Sequence, residues 1–533
     1  MPAIRAQTNV ANYFLPALRF LQRHILVLVA IVLSLLSIIY SYQHHWIIAY
    51  GDAESHLNIA KRVIAGLTPG FAQLGAVWLP LPHLFMVPFV WSNTLWRTGL
   101  AGSIVSAIAF IFSAILVYRI VLQLGGSRAA GVAGFLAFVL NPNILYMQTT
   151  PMTELLLIAF QLASAYFFIQ YIRDFSKVKP LLLTALFAFA AALTRYDGWF
   201  FIFMELGSVA LIHLFNRELR KKLTGRFVLL AAPTLFAILL WVGWNYLIFG
   251  NAFYFLNSQY SAGTQQQGFL LRNELPAKGH AVLAFLYYLY TVVGNVGSII
   301  FGLAMLGAVL FLFFNRSRKY RWPIFLVLFS PFIFYTLSLY IGQSVIFIPN
   351  LTPQNFPWHL FNVRYGLSMV PFAAIFFGYL FGRSRRWWLQ GAVIILLAAQ
   401  TALYASGRLP ILTLQDGLVG LSHQGAPDAQ TWLAKNYNGG KILLDDYSRT
   451  ISIIHSDLPM DNVVYVGNKP YWQEALTAPQ SQVQWVVMQQ NDAVWKALYD
   501  DPAAQANLYK YFAKAYTSPN ILIFERNSAV AAK

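Results

Sequence analysis

Two carboxylates lie two residues apart in the segment Gly51-Asp52-Ala53-Glu54. A carboxylate can act as a general base on a hydroxyl or an amine, and several carboxylates together can hold a divalent cation. The same residues also suit a structural role, because apolar residues recur with helical spacing over 57–64. Asp52 would then be the N-cap of a helix, and Glu54 would favour its positive end. The local sequence leaves both interpretations open.

Four further charged residues stand beside turns or at the ends of apolar runs: Glu154, Arg195, Asp197 and Arg364. Glu154 follows a turn that contains threonine and proline, and Arg195 and Asp197 share one tight turn. Arg364 is a candidate phosphate ligand, because a guanidinium group can bind phosphate through two N–H groups. The carboxylates at these positions also suit ordinary solvated helix ends.

Three more side chains complete the candidate set: His83, Arg272 and His359. Arg272 could bind phosphate in the same way as Arg364, and His359 shortly precedes Arg364 in the chain. His83 lies in a proline-rich segment, and a lone histidine is more often packed or hydrogen-bonded than a ligand. We take all three as candidate cavity residues.

Together these residue types suit a group transfer with a phosphate leaving group. A carboxylate would take a proton from the acceptor, and cationic groups would stabilise the departing phosphate. A Mg²⁺ or Mn²⁺ ion held by Asp52, Glu54 and Glu154 is one candidate source of positive charge. The sequence has no Walker loop, Gly-x-Ser-x-Gly elbow or His-Glu-x-x-His motif. It has no cysteine either, which excludes a thiol nucleophile and a disulfide.

Long apolar runs form the elements that must position these residues. The chain has 533 residues, of which 58% are hydrophobic and 11% charged, whereas a soluble domain carries roughly 25% charged residues. Apolar runs of about 17–25 residues predict membrane-spanning helices. The eleven predicted spans are 25–42, 98–121, 129–147, 153–172, 180–194, 197–215, 227–249, 283–313, 322–346, 364–381 and 387–406.

One further run, 77–92, contains three prolines and fits a spanning helix poorly. Basic residues favour the cytoplasmic side of a membrane. If this run does not span, all six basic clusters between the spans face the cytoplasm; if it spans, the first opposes the other five. We therefore predict an interfacial or re-entrant segment, a cytoplasmic N-terminus and an outer loop at 43–97. Lys61 and Arg62 are expected to snorkel at the membrane surface.

The formal net charge of +18 bears on the partners of the protein. In a soluble protein it would suggest nucleic acid. Here the basic residues form short clusters between apolar runs, so we predict contact with anionic membrane lipids and no nucleic-acid partner. The first apolar run is long enough to span and no Ala-x-Ala site follows it, which predicts a membrane anchor and not a cleaved signal peptide.

The last part of the chain, 407–533, differs in composition from the rest. Its apolar runs are short, at 441–444, 463–466, 485–488 and 521–524, and each fits a buried strand. Helix-like segments lie between them, which predicts a small α/β domain. We predict a membrane domain over 1–406 and an extracytoplasmic α/β domain over 407–533.

This layout resembles the polyprenyl-phosphate-sugar-dependent glycosyltransferases of superfamily C. The similarity is to the protein O-mannosyltransferase and lipid A aminoarabinose transferase group, glycosyltransferase family 39. It covers most of the chain in layout, and the order and shared side of four short motifs make it specific. The motifs are Gly51-Asp52-Ala53-Glu54 with His56, Met152-Thr153-Glu154, Leu193-Thr194-Arg195-Tyr196-Asp197-Gly198, and Asn362-Val363-Arg364-Tyr365 followed by Pro371.

The resemblance implies a hexosyl- or pentosyltransferase of a prokaryotic cell (inner) membrane. It would move a sugar from undecaprenyl or dolichyl phosphate to a protein, lipid or glycan acceptor, with inversion by direct displacement. It implies that Asp52 is the catalytic base, that Glu54 is a second acid and that Glu154 matches the acid of the family's second outer loop. Arg364 would hold the donor phosphate. The remaining cavity residues that it implies are Arg195 and Asp197.

One departure from the family pattern affects the metal. The family pair is often Asp-Glu or Asp-x-Asp, whereas this chain has Asp52-Ala53-Glu54. That difference leaves the need for Mg²⁺ or Mn²⁺ open.

Two readings from other classes compete with a transferase. A transporter or flippase of lipid-linked sugars should show paired repeats and broken spans in matching halves, and no such pairing is apparent in the sequence. A non-catalytic membrane assembly protein would use the acidic residues only to cap helices. Replacing Asp52 separates these readings, because only the transferase needs its carboxylate for chemistry.

Overall fold

The computed structural model describes residues 8–74, 76–216, 220–221, 223–314, 320–384, 386–423 and 428–527. Helices make up most of this part of the chain, and a small sheet follows them. The helices before residue 406 are α1 (Thr8–Gln43), α2 (Gly51–Arg62), α3 (Leu81–Val90), α4 (Asn93–Arg97), α5 (Leu100–Gln123), α6 (Arg128–Val139), α7 (Pro142–Met147), α8 (Glu154–Arg173), α9 (Val178–Ala192), α10 (Asp197–Leu214), α11 (Leu223–Phe249), α12 (Tyr254–Asn257), α13 (Ala262–Leu271), α14 (Ala281–Val296), α15 (Ser298–Val309), α16 (Arg321–Ile341), α17 (Val370–Arg383) and α18 (Trp387–Ala405). Short 3₁₀ segments at Phe71–Gln73 and Val363–Met369 and a π-helical turn at Leu310–Phe314 complete them.

The polytopic helical architecture that the sequence predicts is confirmed. Within the described residues, eight helices are long and apolar enough to cross a membrane, or nine if one bent pair is a single span. The bent pair is α14 and α15, which meet at 109° around Gly297, where the sequence predicts one continuous span over 283–313. The remaining two predicted spans, 129–147 and 180–194, correspond to shorter helices, with α6 followed by α7 in the first case and α9 in the second.

The first predicted loop, 43–97, folds into short helices. The helix α3 has ten residues and at about 1.5 Å per residue is too short to cross a bilayer. Pro82 lies in its first turn, where proline is tolerated, and Pro88 lies inside it. The non-spanning interpretation of 77–92 agrees with this length.

Small residues let the membrane helices approach closely. A Cβ atom on Gly134 of α6 would lie 2.9 Å from the carbonyl oxygen of Ala374, and one on Gly378 of α17 would lie 2.8 Å from that of Ala130. Helix interfaces in membranes use such residues because close backbone packing replaces the hydrophobic driving force that lipid removes. The α6–α17 contact holds α17 in place, directly after the 3₁₀ segment that carries Arg364.

The predicted C-terminal α/β fold is confirmed. Its sheet has the order β2-β1-β3-β5-β4, with β1 parallel to β2 and β3, and with β5 antiparallel to β3 and β4. The strands are β1 (Ile442–Leu443), β2 (Val463–Val464), β3 (Trp485–Gln489), β4 (Phe512–Thr517) and β5 (Ile521–Arg526). The helices after α18 are α19 (Leu412–Val419), α20 (Asp428–Asn436), α21 (Tyr471–Thr477), α22 (Pro479–Gln482), α23 (Ala493–Leu498) and α24 (Pro502–Tyr511).

The strand β4 is absent from the prediction, because its sequence lacks a continuous apolar run; three of its six residues are exposed. The helix α19 packs against the membrane domain. Thr413 N–H donates to Asn143 (3.0 Å), and the Thr413 carbonyl accepts from the Tyr50 hydroxyl (2.5 Å). The predicted boundary between residues 406 and 407 stays a prediction.

Candidate active site

Three predicted carboxylates lie in the first turns of three different helices. Asp52 belongs to α2, Glu154 to α8 and Asp197 to α10. A carboxylate is stabilised there by the partial positive charge of the helix N-terminus. Arg364 lies in the 3₁₀ segment before α17 and contacts two of these carboxylates. One end of the helix bundle therefore collects Asp52, Glu154, Asp197 and Arg364.

Asp52 lies between two guanidinium groups. Its Oδ2 accepts from Arg364 NH2 at 2.5 Å, and its Oδ1 accepts from Arg449 NH1 at 3.2 Å. The helix N-cap is Tyr50, so the interpretation of Asp52 as a capping residue is wrong. Burial opposes ionisation, but Arg364 and Arg449 outweigh it, and the pKa of the Asp52 carboxyl lies below its ordinary value. Asp52 is therefore a carboxylate at neutral pH.

Glu154 joins the two arginines that the sequence predicts for the cavity. Its Oε1 accepts from Arg195 NH1 at 3.0 Å and from Arg364 Nε at 3.2 Å. Its Oε2 is buried and has no hydrogen-bond partner among the described residues. Removing one partner of a buried ion pair strands the other charge, so this bridge holds both guanidinium groups in position.

Arg195 and Asp197 continue the network into the helix α16. Arg195 Nε donates to Asp197 Oδ1 at 3.2 Å, and the Tyr335 hydroxyl donates to Asp197 Oδ2 at 2.6 Å. The aromatic ring of Tyr365 lies 5.3 Å from the Arg195 guanidinium and 5.5 Å from that of Arg364. A ring at that distance attracts a cation through its electron-rich face. Sequence reasoning missed Tyr335, because an isolated tyrosine in an apolar run carries no signal.

Glu54 points away from this cluster and binds the C-terminal domain. Its Oε2 accepts from Ser452 Oγ at 2.5 Å, and its Oε1 accepts from the Ile454 N–H at 3.0 Å and from Asn58 at 3.4 Å. The side chain is buried. These contacts favour a structural role, and the catalytic role of Glu54 that the resemblance implies stays a prediction.

Lys61 and Arg62 do not snorkel. Both are buried: Lys61 Nζ donates to the Val90 carbonyl at 2.9 Å and to Asn93 Oδ1 at 2.8 Å. Arg62 forms an ion pair with Asp446 of the C-terminal domain. The expectation was wrong because α2 is covered by α4 and by the C-terminal domain, neither of which the local sequence reveals.

His83 is near the cluster but meets it through another histidine. His83 Nε2 and His56 Nδ1 lie 2.9 Å apart, both rings are buried, and Trp78 packs on His56 at 4.8 Å. Burial lowers the pKa of His56 to about 4, so this imidazole is neutral at pH 7. His56 belongs to α2, the helix that carries Asp52, so the pair links α3 to that helix.

Two predicted cavity residues have other surroundings. Arg272 is half exposed and forms an ion pair with Glu274 at 2.7 Å. His359 lies in a partly exposed segment before the 3₁₀ helix. Among the described residues, no hydrogen bond of either side chain reaches the Asp52 cluster. Their phosphate roles stay predictions.

Asp416 of α19 is a buried carboxylate that the sequence does not single out. Burial raises the pKa of Asp416 to about 6, although the nearby Arg364 lowers it and Asp52 raises it further. Its neighbour Ser422 also accepts from Arg364 NH1 at 3.1 Å. The segment that links the two domains thus contributes to the surroundings of Arg364.

A divalent cation fits this arrangement poorly. Within the described residues, no group of three or more His, Asp and Glu side chains could hold a metal ion. Asp52 and Glu154 carry guanidinium partners, and Glu54 accepts from Ser452 and a backbone N–H. The proposed set of Asp52, Glu54 and Glu154 is therefore not assembled as a metal site here.

Comparison with known proteins identifies the architecture. The family model described as dolichyl-phosphate-mannose-protein mannosyltransferase matches residues 99–257. ArnT from Cupriavidus metallidurans, solved bound to undecaprenyl phosphate, superposes with a TM-score of 0.56 at 12% identity over 93% of this chain and 98% of that chain. This chain therefore shares its overall fold with ArnT.

An archaeal structure supports the same fold. The Archaeoglobus fulgidus oligosaccharyltransferase matches in its apo form with a TM-score of 0.52 at 13% identity, over 94% of this chain and 74% of that chain. Tethered to an acceptor peptide with the NVT sequon, it matches with a TM-score of 0.50 at 13% identity, over 96% and 75%. No curated protein matches the sequence. The likeness of this chain to these two solved proteins thus covers the whole fold.

Proposed function

We propose that the protein transfers a sugar from a polyprenyl-phosphate carrier to an acceptor hydroxyl or amine at the extracytoplasmic face of a prokaryotic cell membrane. The observation that carries the proposal is Asp52, an ionised carboxylate that shares Arg364 with Glu154 at one end of the bundle. A base next to guanidinium groups suits a reaction that moves a proton and releases a phosphate. The similar fold of ArnT bound to undecaprenyl phosphate supports this donor class.

In the proposed reaction the acceptor attacks C1 of the sugar opposite the phosphate. The C1–O bond breaks, and its electron pair stays on the phosphate oxygen. Asp52 takes the proton from the acceptor, and Arg364 stabilises the charge that the phosphate gains. One displacement inverts the anomeric centre and leaves no covalent sugar on the protein. The positive charge in these steps comes from the arginines that pair with Asp52 and Glu154.

The proposal names the acceptor and the sugar only by chemical class. The acceptor is a protein, lipid or glycan, and the sugar is a hexose or a pentose. The peptide-bound form of the similar archaeal oligosaccharyltransferase makes a polypeptide one acceptor class to test.

A transfer assay tests the proposal. Purified protein is incubated with radiolabelled undecaprenyl- and dolichyl-phosphate sugars and with protein, lipid and glycan acceptors. We expect labelled acceptor and free polyprenyl phosphate in equal amounts for at least one pair. Movement of the lipid-linked sugar across vesicles without release of polyprenyl phosphate would favour a flippase. No turnover and no movement with any donor would favour an assembly protein.

The orientation has its own test. The charge count predicts that everything after about residue 407 is outside the cell. A reporter fused after Arg408 should therefore be exported, and cytoplasmic activity of that fusion would overturn the proposed orientation.

A further inference from the structure

Arg449 reaches the Asp52 cluster from the C-terminal domain. Its NH1 lies 3.2 Å from Asp52 Oδ1, while Arg364 holds the other oxygen. The two residues are 397 positions apart in the chain. The Arg449 side chain is 41% exposed, whereas that of Arg364 is 5% exposed. Of the two guanidinium groups on Asp52, Arg449 is thus the one that faces solvent.

The loop that carries Arg449 is fastened at both ends. At its start, Asp445 accepts from the Ser448 N–H at 3.1 Å and from Ser448 Oγ at 2.8 Å. At its end, Ser452 Oγ binds Glu54. Arg449 itself has a φ of 54°, which is uncommon for a residue other than glycine. Such a conformation persists where the surroundings enforce it, and it often marks a functional position.

The two arginines differ in how firmly they are held. Arg364 donates through Nε to Glu154 and through NH1 to Ser422 as well as to Asp52. Among the described residues, the ion pair of Arg449 is with Asp52. Arg449 can therefore move to another anion without breaking a second ion pair, whereas Arg364 cannot leave Asp52 freely.

Resting on the proposed function, we infer that Arg449 is a donor-phosphate ligand that the C-terminal domain supplies to the active site. Without donor, it holds Asp52. When the donor is bound, its guanidinium moves to a phosphate oxygen, where it stabilises the negative charge that the leaving phosphate gains.

This movement also prepares the base. Each carboxylate oxygen of Asp52 has a guanidinium partner, which occupies one of its lone pairs and crowds that side of the carboxylate. Departure of Arg449 frees Oδ1 for the acceptor proton. It also removes a positive charge that lowers the pKa of Asp52, so the carboxylate becomes a stronger base when the phosphate is in place.

A second arginine provides a matched control. Arg97 of α4 pairs with Asp457 of the C-terminal domain, so it also links the two domains. That pair is exposed and is separate from the Asp52 cluster. Arg97→Gln removes a similar contact between domains without touching the proposed phosphate site.

The experiment compares Arg449→Gln, Arg449→Lys and Arg97→Gln in the full-length purified protein. The dissociation constant is measured for undecaprenyl phosphate and for uncharged undecaprenol in detergent, with KM and kcat for donor and acceptor. We expect Arg449→Gln to weaken undecaprenyl phosphate binding about ten- to a hundredfold, the size of a lost charged hydrogen bond. The affinity of Arg449→Gln for undecaprenol should stay unchanged. The affinity of Arg449→Lys for undecaprenyl phosphate should lie between those of Arg449→Gln and the wild type, and that of Arg97→Gln should equal the wild-type value.

Three results would overturn the inference. Wild-type affinity of Arg449→Gln for undecaprenyl phosphate would remove the phosphate role. Equal loss of undecaprenol and undecaprenyl phosphate binding, with a lower melting temperature, would reduce Arg449 to a domain-docking residue. A raised KM for the acceptor alone would assign it to the acceptor. If the wild type itself binds no undecaprenyl phosphate, the proposed function fails first and the inference falls with it.

Discussion

The two faces of helix α2 carry similar residues but contact different parts of the protein. Asp52 and His56 are one helical turn apart and lie on the side of the charged cluster. Glu54 and Asn58, also one turn apart, lie on the side of the C-terminal domain and α4. Two acids separated by a single alanine thus enter different environments.

Asp52 and Glu54 differ in the groups that donate hydrogen bonds to their carboxylates. The Asp52 side chain is 21% exposed and its partners are guanidinium groups. Glu54 is 4% exposed, and its partners include a serine hydroxyl and a backbone N–H of the other domain. Asp52 contacts the C-terminal domain through the solvent-exposed Arg449, whereas Glu54 contacts it through buried hydrogen bonds. An acidic pair in a sequence motif therefore need not be a functional pair.

The largest expected effect is that of Asp52→Asn. Loss of the general base should lower kcat by about 10²–10⁴-fold. Binding of undecaprenyl phosphate should be retained or tighter, because Arg364 and Arg449 lose the carboxylate that competes with phosphate. Sugar transfer and lipid binding are measured on the same preparation. Unchanged transfer would remove Asp52 as the base.

A smaller effect on transfer and a larger one on stability are expected for Glu54→Gln. The variant weakens a charged hydrogen bond to Ser452, worth about 1.5–3 kcal/mol. We expect a lower melting temperature and faster proteolysis between the domains, with a smaller loss of kcat than for Asp52→Asn. Normal stability together with abolished transfer would instead make Glu54 the second catalytic acid.

Arg364→Lys tests the buried arginine that pairs with Asp52. Lysine keeps the charge but cannot bridge Asp52, Glu154 and Ser422 at once. We expect about tenfold weaker binding of undecaprenyl phosphate, at the lower end of the worth of a charged hydrogen bond. Titration of the lipid into the detergent-solubilised variant measures this. An unaltered dissociation constant would remove Arg364 from the phosphate site.

The smallest effect is expected for Asp416→Asn and depends on pH. The pKa of Asp416 is raised to about 6 in the folded protein, chiefly by burial. The folded state then binds more protons than the unfolded state between the ordinary pKa and about 6, so stability falls as pH rises through that window. The Asp416→Asn variant has no ionisable group at this position and therefore lacks this pH-dependent loss of stability. The melting temperature of the variant, relative to that of the wild type, should therefore rise from about pH 4 to about pH 7. A difference in melting temperature that does not change with pH would contradict the raised pKa of Asp416.

Much of the architecture follows from local sequence. Apolar runs predict helix at each of the eleven proposed spans, and short apolar runs predict four of the five strands. The same sequence predicts that Glu154, Arg195 and Arg364 share a site; both arginines form ion pairs with Glu154, and their functional roles stay predictions. These features are local or follow from the direction of successive helices, so burial of apolar runs is enough to specify them.

Other features required the three-dimensional fold. The sharp bend at Gly297, the separate surroundings of Asp52 and Glu54, the burial of Lys61 and the position of Arg449 all depend on distant contacts. Arg449 and Asp52 are 397 residues apart, and no periodicity or motif links them. A charged side chain looks the same in sequence whether it faces water or a buried carboxylate. Only packing of the C-terminal domain against α2 decides which acid keeps a movable cationic partner and which becomes part of the interface.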